Sequence, residues 1–287
     1  MEEEVIKNIR SKSRVIRDPA GRNVGILEER HALEIGRIHG LMLHEIYILT
    51  LKLGICPYRY VRNREILSLE ELLRLAESRV AVVGAGGLGG TVLSILGRTG
   101  IGHLVVIDFD VFDESNLNRQ AFSHCENLGK PKAEEARSQL ERINPGVDVS
   151  AYQIRLNAEN GKNLLKDCQV VVDALDNVES RITLMEAAKA LGVPLVHGAI
   201  AGFEGQIMSL FPGDEGLSRI YGKAKKGEND FTGPEAVLGV PGITAAVIAA
   251  FQAMEVIKIL LKRGRPFTNT MVYLDLERGE INQFRFD

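Results

Sequence analysis

Three observations predict an α/β fold built on a doubly wound, mostly parallel sheet. The apolar run Val80-Ala-Val-Val83 feeds directly into a glycine-rich turn, Gly84-Ala-Gly-Gly-Leu-Gly89. Short apolar runs and segments of helical spacing then alternate as far as Phe211, the pattern of parallel strands joined by helices. Near the end, Thr270 to Leu274 and Ile281 to Phe286 are extended runs either side of Arg278-Gly279, which predicts a C-terminal antiparallel hairpin. The whole is Rossmann-like, with an N-terminal helical extension.

Residues 1 to 56 form that extension. Glu28 to Leu53 has helical spacing through Leu33, Ile38, Leu41, Ile46 and Leu49. His31, His39 and His44 lie on or near it, but spacings of eight and five do not gather them on one face. Packing on the main domain or on a dimer partner is expected there, not metal binding. Residues 57 to 287 form the main domain. After the strand Val80 to Val83, a helix runs from about Leu88 to Thr99 and ends near Gly100 and Gly102; Leu104-Val-Val-Ile107 is the next strand. Lys132 to Ile143 is helical, with Ala133, Ala136, Leu140 and Ile143 as its apolar stripe. Val170 to Val172 reads as a buried strand, Arg181 to Leu191 as a helix, and Leu195 to Ala199 and Gln206 to Phe211 as strands. Gly213 to Val240, with Lys223, Lys225 and Lys226, reads as a mobile surface loop. Ile243 to Leu261 is the most apolar stretch, but it contains Gln252, Glu255 and Lys258. It is expected to be a core helix and not a membrane span.

Composition narrows the function. A hydrophobic content of 45% allows a large core, and a net charge of −3 argues against a general nucleic-acid binder. Cys56, Cys125 and Cys168 read as free thiols, with no disulfide framework. No secretory signal is read before residue 30, so a cytoplasmic location is expected.

A strand that enters a helix through a glycine-rich turn presents free N–H groups and a helix dipole to a phosphate. Gly84 can make the tight turn, Gly86 and Gly87 keep the backbone open to a ligand, and Gly89 lets helix and sheet pack closely. Asp108 ends the second strand, near the acidic position that binds a ribose hydroxyl in dinucleotide folds. The residues that follow argue against a simple nicotinamide site. Asn116, Arg119, Gln120 and Lys132 form a row that can reach phosphates; the fork of Arg119 and the point charge of Lys132 suit a triphosphate. Asp173 ends the strand Val170 to Val172, and Asp176 lies in the loop beyond, facing the ligand crevice. From the residues alone, Asp176 is either a helix cap or a ligand for a hard cation.

Taken together, Gly84 to Gly89, Asp108-Phe-Asp110, Asn116-Leu-Asn-Arg-Gln120, Gly129-Lys-Pro-Lys132, Ile143-Asn-Pro145 and Asp173-Ala-Leu-Asp-Asn177 resemble the ThiF/MoeB/HesA family, bacterial relatives of the ubiquitin-activating enzymes. Gly198 to Gln206 and the helix around Gln252-Ala-Met-Glu255 are similar too, so the resemblance runs from about Pro57 to Asp287. It implies Mg-ATP-dependent adenylation of the C-terminal glycine carboxylate of a small ubiquitin-like sulfur-carrier protein. By the same resemblance Asp108, with Asp110 beside it, binds the nucleotide; Asn116, Arg119, Gln120 and Lys132 hold the phosphates; and Asp176 carries Mg²⁺. Arg59-Tyr-Val-Arg62 resembles the family's Arg-Tyr-x-Arg element, which implies a homodimer with Arg62 reaching the partner's site. The loop from Gly213 to Val240 would cover the carrier's tail.

Two departures from the family matter. No Cys-x-x-Cys pair is present, so no structural zinc is expected; Gly216-Leu-Ser-Arg-Ile-Tyr-Gly222 stands where the first pair belongs. The loop before the late helix has no cysteine, which favours an enzyme that stops at the acyl-adenylate. The chemistry is self-consistent, because a terminal carboxyl with a pKa of about 3.5 is already a nucleophilic anion and needs no general base. The alternatives are a relative that activates a tRNA-bound carboxylate, an NAD-dependent oxidoreductase and an inactive binding subunit. The first is disfavoured by Asp176-Asn177 followed by Arg181, by Phe203-Glu-Gly-Gln206 and by the near-neutral charge; the last by retention of every phosphate and metal candidate.

Overall fold

A computed structural model describes residues 2–222 and 237–286. The residues Lys223, Lys225 and Lys226 of the expected surface loop lie outside the described residues. The N-terminal segment begins with helix α1 (Glu2–Lys12), a hairpin of β1 (Arg14–Arg17) and β2 (Asn23–Leu27), and helices α2 (Glu29–His39) and α3 (Leu43–Lys52). A short strand, β3 (Cys56–Pro57), adds in parallel to β2. The expected extension was wholly helical, and this is corrected in two ways. The hairpin was not read from the sequence, and the run Glu28 to Leu53 is two helices. Gly40, at φ +69° in the left-handed region, ends α2 and turns the chain.

A 3₁₀ turn (Tyr58–Asn63) leads to α4 (Leu69–Ala76), which opens on a capping box between Ser68 and Glu71. The main sheet follows: β4 (Arg79–Val83), α5 (Gly87–Thr99), β5 (His103–Ile107), α6 (Lys132–Ile143), β6 (Asp148–Tyr152), α7 (Gly161–Leu164), β7 (Val170–Asp173), α8 (Val178–Leu191), β8 (Leu195–Ala201), β9 (Glu204–Leu210), α9 (Ser218–Tyr221), α10 (Gly242–Leu261), β10 (Thr270–Asp275) and β11 (Glu280–Arg285). The strand order is β11-β10-β9-β8-β7-β4-β5-β6. The five strands from β6 to β8 are parallel, and β9, β10 and β11 each pair antiparallel with the strand before them.

The central strands read as unbroken apolar runs because both their faces are covered. With a side-chain period of two, Val80, Val82, Leu104, Val106, Val170 and Val172 point to the layer of α4, α5, α6 and α10. Ala81, Val83, Val105, Ile107 and Val171 point to the other face, with Leu184, Met185 and Ala188 of α8. The first core continues into the N-terminal segment through Val5, Ile9, Ile35, Ile46 and Tyr47.

Among the described residues, α10 is the one helix long and apolar enough to cross a membrane by length and composition. Its polar groups are used inside the protein. Gln252 donates to the carbonyls of Asp173 (2.8 Å) and Val196 (3.3 Å), and Glu255 accepts from Ser209 Oγ (2.6 Å) and the Phe267 N–H (2.7 Å).

His44 is buried on α3, with its ring edge-on to His103 at 4.4 Å between centroids, and neither ring nitrogen has a hydrogen-bond partner among the described residues. Burial and the nearby His103 lower its pKa, outweighing the opposite pull of Asp148 and Glu45. His44 therefore stays neutral in the folded chain, while the unfolded chain takes up a proton as pH falls through about 6.5. Stability from this site is complete above that pH and lost below it. The thermal midpoint should fall between pH 8 and pH 5.5, and a His44→Phe chain should lose less over the same interval. Equal losses would show that another group sets the dependence.

Candidate active site

The order of strands creates a crevice. The chain leaves β4, builds β5 and β6 on one side of it, then crosses back to place β7 on the other. The carboxyl ends of β4 and β7 diverge at this reversal, where open α/β sheets bind ligands.

The outer glycines of the turn are fixed by space. Gly84 has φ +95°, and a Cβ there would lie 2.5 Å from the Ala174 carbonyl oxygen. A Cβ on Gly89 would lie 1.7 Å from the Gly84 carbonyl oxygen, closer than any real contact. Gly86 and Gly87 differ, because side chains from the loop after β5 lie over them. A Cβ on Gly86 would meet Gln120 Nε2 at 3.6 Å, and one on Gly87 would meet Arg119 Cγ at 3.6 Å. The phosphate-reaching row thus folds onto the N-terminus of α5.

Each member of the row has a defined setting. Arg119 Nη1 donates to the Ser115 carbonyl (2.8 Å) and to Asn118 Oδ1 (2.9 Å). Gln120 is buried, and its Oε1 has no partner among the described residues. Asn116 is buried as well; its Oδ1 accepts from the Asp113 N–H at 3.1 Å. Asp108 is 9% exposed. Its two oxygens accept from the backbone N–H groups of Ala85 (2.6 Å) and Asp110 (2.8 Å), and a carboxylate has further lone pairs for a hydroxyl. Burial pushes its pKa up, against the lowering effect of those N–H groups and of Lys132. Lys132 opens α6, is 7% exposed and pairs with Asp110 Oδ2 at 3.2 Å.

Asp173 and Asp176, close in sequence, occupy opposite environments. Asp173 is fully buried, and its two oxygens go to the Leu175 N–H (3.0 Å) and to His197 Nδ1 (2.7 Å). Asp176 is exposed. The helix-cap alternative for Asp176 fails, because the cap of α8 is Asn177, whose Oδ1 accepts from the Ser180 N–H at 2.9 Å. The Asp176 carboxylate receives 3.1 Å contact from Asn177 Nδ2 and faces water. It can serve as one hard oxygen ligand. Among the described residues no three His, Cys, Asp or Glu side chains gather as a metal site. A Mg²⁺ on Asp176 would therefore draw the rest of its shell from phosphate and water, as Mg²⁺ commonly does.

Arg62 is not brought to this crevice. It is exposed, in the 3₁₀ turn anchored by Tyr60. Tyr60 packs on Gly100 and accepts from Asn144 Nδ2 (2.7 Å), at the C-terminal end of α5. The glycine turn is at the other end of this 13-residue helix, about 20 Å away at 1.5 Å per residue. The cysteines are also remote in chemistry: Cys56 and Cys168 are buried, with burial pushing the Cys56 thiol up to about 12 and that of Cys168 upward too. Cys125 is exposed.

The sequence reading missed His197 and Tyr221, and used Arg181 only as a family marker. All three lie beside the Asp176 loop. One signal for His197 was available: a lone imidazole in the apolar strand run Leu195-Val-His-Gly-Ala.

The profile of the ThiF family matches residues 60–287. The SAMP-activating enzyme E1 of Haloferax volcanii is 39% identical over 204 residues, covering 70% of this chain and 74% of that protein. The sulfur carrier protein adenylyltransferase of Thermus thermophilus is 38% identical over 206 residues, covering 70% and 76%. The crystal structure of PaaA superposes with a TM-score of 0.67 at 17% identity, over 96% of this chain and 98% of PaaA. That likeness is one of fold, and its coverage is too high to leave out residues 1–56.

The glycine geometry separates two substitutions. Gly89→Ala should cost about 2 kcal/mol or more by forcing the turn apart and remove nucleotide binding. Gly86→Ala meets only ordinary contact distances, so it should leave the thermal midpoint within about 3 °C while weakening nucleotide binding. Calorimetric melting and nucleotide titration of both variants check this; a Gly89→Ala chain that melts and binds like the parent would refute it.

Proposed function

We propose a function from one premise: the chain belongs to the ThiF family. It is an adenylyltransferase that uses ATP to activate the C-terminal carboxylate of a small ubiquitin-like sulfur-carrier protein, forming an acyl-adenylate and pyrophosphate. The observation that carries this reading is the fold of Arg119 and Gln120 over Gly87 and Gly86. A guanidinium folded onto the glycine turn, with a buried lysine paired to Asp110 nearby in the chain, suits a triphosphate better than a nicotinamide dinucleotide.

The roles follow from the settings. Gly84, Gly86, Gly87 and Gly89 shape the turn, and the N-terminus of α5 faces the phosphates. Asp108 accepts a ribose hydroxyl, and Asp110 holds Lys132 until a phosphate competes for it. Arg119, Lys132, Asn116 and Gln120 donate to phosphate oxygens. When bound through Asp176, Mg²⁺ neutralises phosphate charge. The reacting anion then approaches the α-phosphate with less repulsion, and the attack itself needs no base, since the nucleophile is an ionised carboxylate. The setting is cytoplasmic, where ATP and a carrier are both available.

The active unit in this reading is a homodimer. Arg62 is about a helix length from its own glycine turn, so it serves the site of a second copy. One surface supports such pairing. The outward side of α10 carries Ile243, Ala246, Ala250 and Met254, all exposed. The same helix packs against α5 with its other side. A two-fold axis across that layer exchanges the ends of α5, bringing Arg62 of one copy toward the glycine turn of the other.

ATP–pyrophosphate exchange tests the reading, run with a panel of carrier proteins ending in Gly-Gly, with tRNA and with neither. Exchange that depends on one carrier and on Mg²⁺ is expected; exchange with tRNA alone, or binding of NAD but not ATP, would overturn it. Arg62→Ala and Asp176→Ala should each abolish exchange, and mixing them should restore it in the heterodimer. No recovery after demonstrated subunit exchange would remove Arg62 from the partner's site.

A further inference from the structure

The residue just before Asp176 is held through both its N–H and its carbonyl. The Leu175 N–H donates to Asp173 Oδ1 (3.0 Å), and the Leu175 carbonyl accepts from Arg181 Nη2 (2.6 Å) and Nε (3.2 Å). Arg181 is 5% exposed, and its Nη1 donates to Tyr221 Oη at 2.6 Å. Tyr221 Oη meets His197 Nε2 at 3.1 Å, and His197 Nδ1 returns to Asp173 Oδ2 at 2.7 Å. Asp173, His197, Tyr221, Arg181 and Leu175 therefore close a ring of hydrogen bonds through the two peptide groups that flank Leu175.

The protons on His197 and Tyr221 can be assigned. His197 is fully buried, and its Nδ1–H donates to Asp173, which leaves Nε2 as an acceptor. The Tyr221 hydroxyl donates to that nitrogen, and its oxygen accepts from Arg181 and from Gln206 Nε2 (2.8 Å). Burial lowers the His197 pKa, despite the opposing bond and charge of Asp173. The imidazole is thus a neutral relay of geometry.

We propose that Tyr221 is a positioning residue for Asp176, acting through Arg181 and the Leu175 peptide. Tyr221 sits at the end of α9, 89 residues beyond Lys132 in the sequence, and its hydrogen bonds among the described residues go to Arg181, Gln206 and His197, not to the glycines of the turn or the row from Asn116 to Lys132. What it supplies is the fourth wall of the ring. Ala174 completes the restraint from the far side: its N–H donates to the Val83 carbonyl (3.0 Å), and its own carbonyl lies against Gly84. The loop bearing Asp176 is thereby registered to the glycine turn on one flank and to Tyr221 on the other. This inference rests on the reading that Asp176 receives the Mg²⁺ of ATP.

The test is calorimetric titration of the full-length chain with ATP, with and without Mg²⁺. In the unmodified chain Mg²⁺ should tighten ATP binding. Tyr221→Phe keeps the aromatic side chain but removes the hydroxyl that closes the hydrogen-bonded ring; it should cut that Mg²⁺-dependent gain by about fivefold, the scale of one hydrogen bond, and change Mg²⁺-free binding by less than about twofold. Arg181→Lys, which cannot span Leu175 and Tyr221 together, should give the same pattern. In an Asp176→Asn background, Tyr221→Phe should have no further effect on ATP binding. A Tyr221→Phe chain with the parental Mg²⁺ gain would overturn the proposal. So would equal weakening with and without Mg²⁺, or an effect that persists without the Asp176 carboxylate. A parental chain that binds ATP with no Mg²⁺ dependence would instead remove the reading of Asp176 on which the proposal stands.

Discussion

The contact that the rest of this molecule depends on is the approach of three backbones at the end of β4. The Gly84 carbonyl sits where a side chain on Gly89 would be, and the Ala174 carbonyl sits where a side chain on Gly84 would be. Only glycine allows the first helix to start so close to its own strand, and allows the loop after β7 to close over both. That closeness places the N-terminal N–H groups of α5 at the mouth of the crevice. It also lets Asp108, ending the neighbouring strand, reach the Ala85 N–H. A wider turn would separate these groups and leave a buried carboxylate without its donors, which costs several times what a surface charge does.

This dependence explains what could be read in the sequence. The glycine turn, α5, Asp108 and the row from Asn116 to Lys132 lie within one contiguous stretch and are specified by local spacing. The hydrogen-bonded ring is different. Asp173 and His197 meet only because β8 lies beside β7, pairing Asp173 with His197 in register. Tyr221 arrives from a four-residue helix with no periodic pattern. Long-range pairing of this kind has no signature in either segment. The N-terminal hairpin was hidden for another reason: its strands are four and five residues long, too short for alternation to stand out. Its turn, Asp18-Pro-Ala-Gly21, did carry a signal in the proline and in a glycine at φ +80°. Gly40 was similarly visible as a helix stop and was overridden by the apolar spacing either side of it.

The two aspartates after β7 show how burial divides labour between like residues. Asp173 has lost all contact with water and has spent both oxygens inside the protein. Asp176 has kept its water and only one neighbouring contact. Hard cations bind carboxylates that can exchange water for metal at low cost, so exposure is the useful property and burial the disqualifying one. The buried partner is no less necessary. An exposed carboxylate on an unrestrained loop samples many positions, and alignment of reacting groups is a large part of what a catalyst supplies. Asp173 ties the loop down, and in the proposed reaction Asp176 would supply its chemistry.

The same division applies to the whole chain. The crevice gathers its phosphate donors from residues next to the glycine turn, yet Arg62 lies at the other end of α5, with its turn fixed by Tyr60, Asn144 and Gly100. Arg59, in the same turn, is tied to Glu29 and to the Ile143 carbonyl. The backbone carrying Arg62 is thus anchored about a helix length from its own glycine turn, farther than an arginine side chain reaches. Either Arg62 is an ordinary surface residue on a well-anchored turn, or it belongs to a site made by two copies. The apolar side of α10 is what favours the second in the proposed reading. A helix that exposes Ile243 at 62% and Met254 at 50% gains by covering them. In the proposed homodimer, an isologous pairing of two such layers would hide the stripe and would bring each Arg62 toward the other copy's glycine turn.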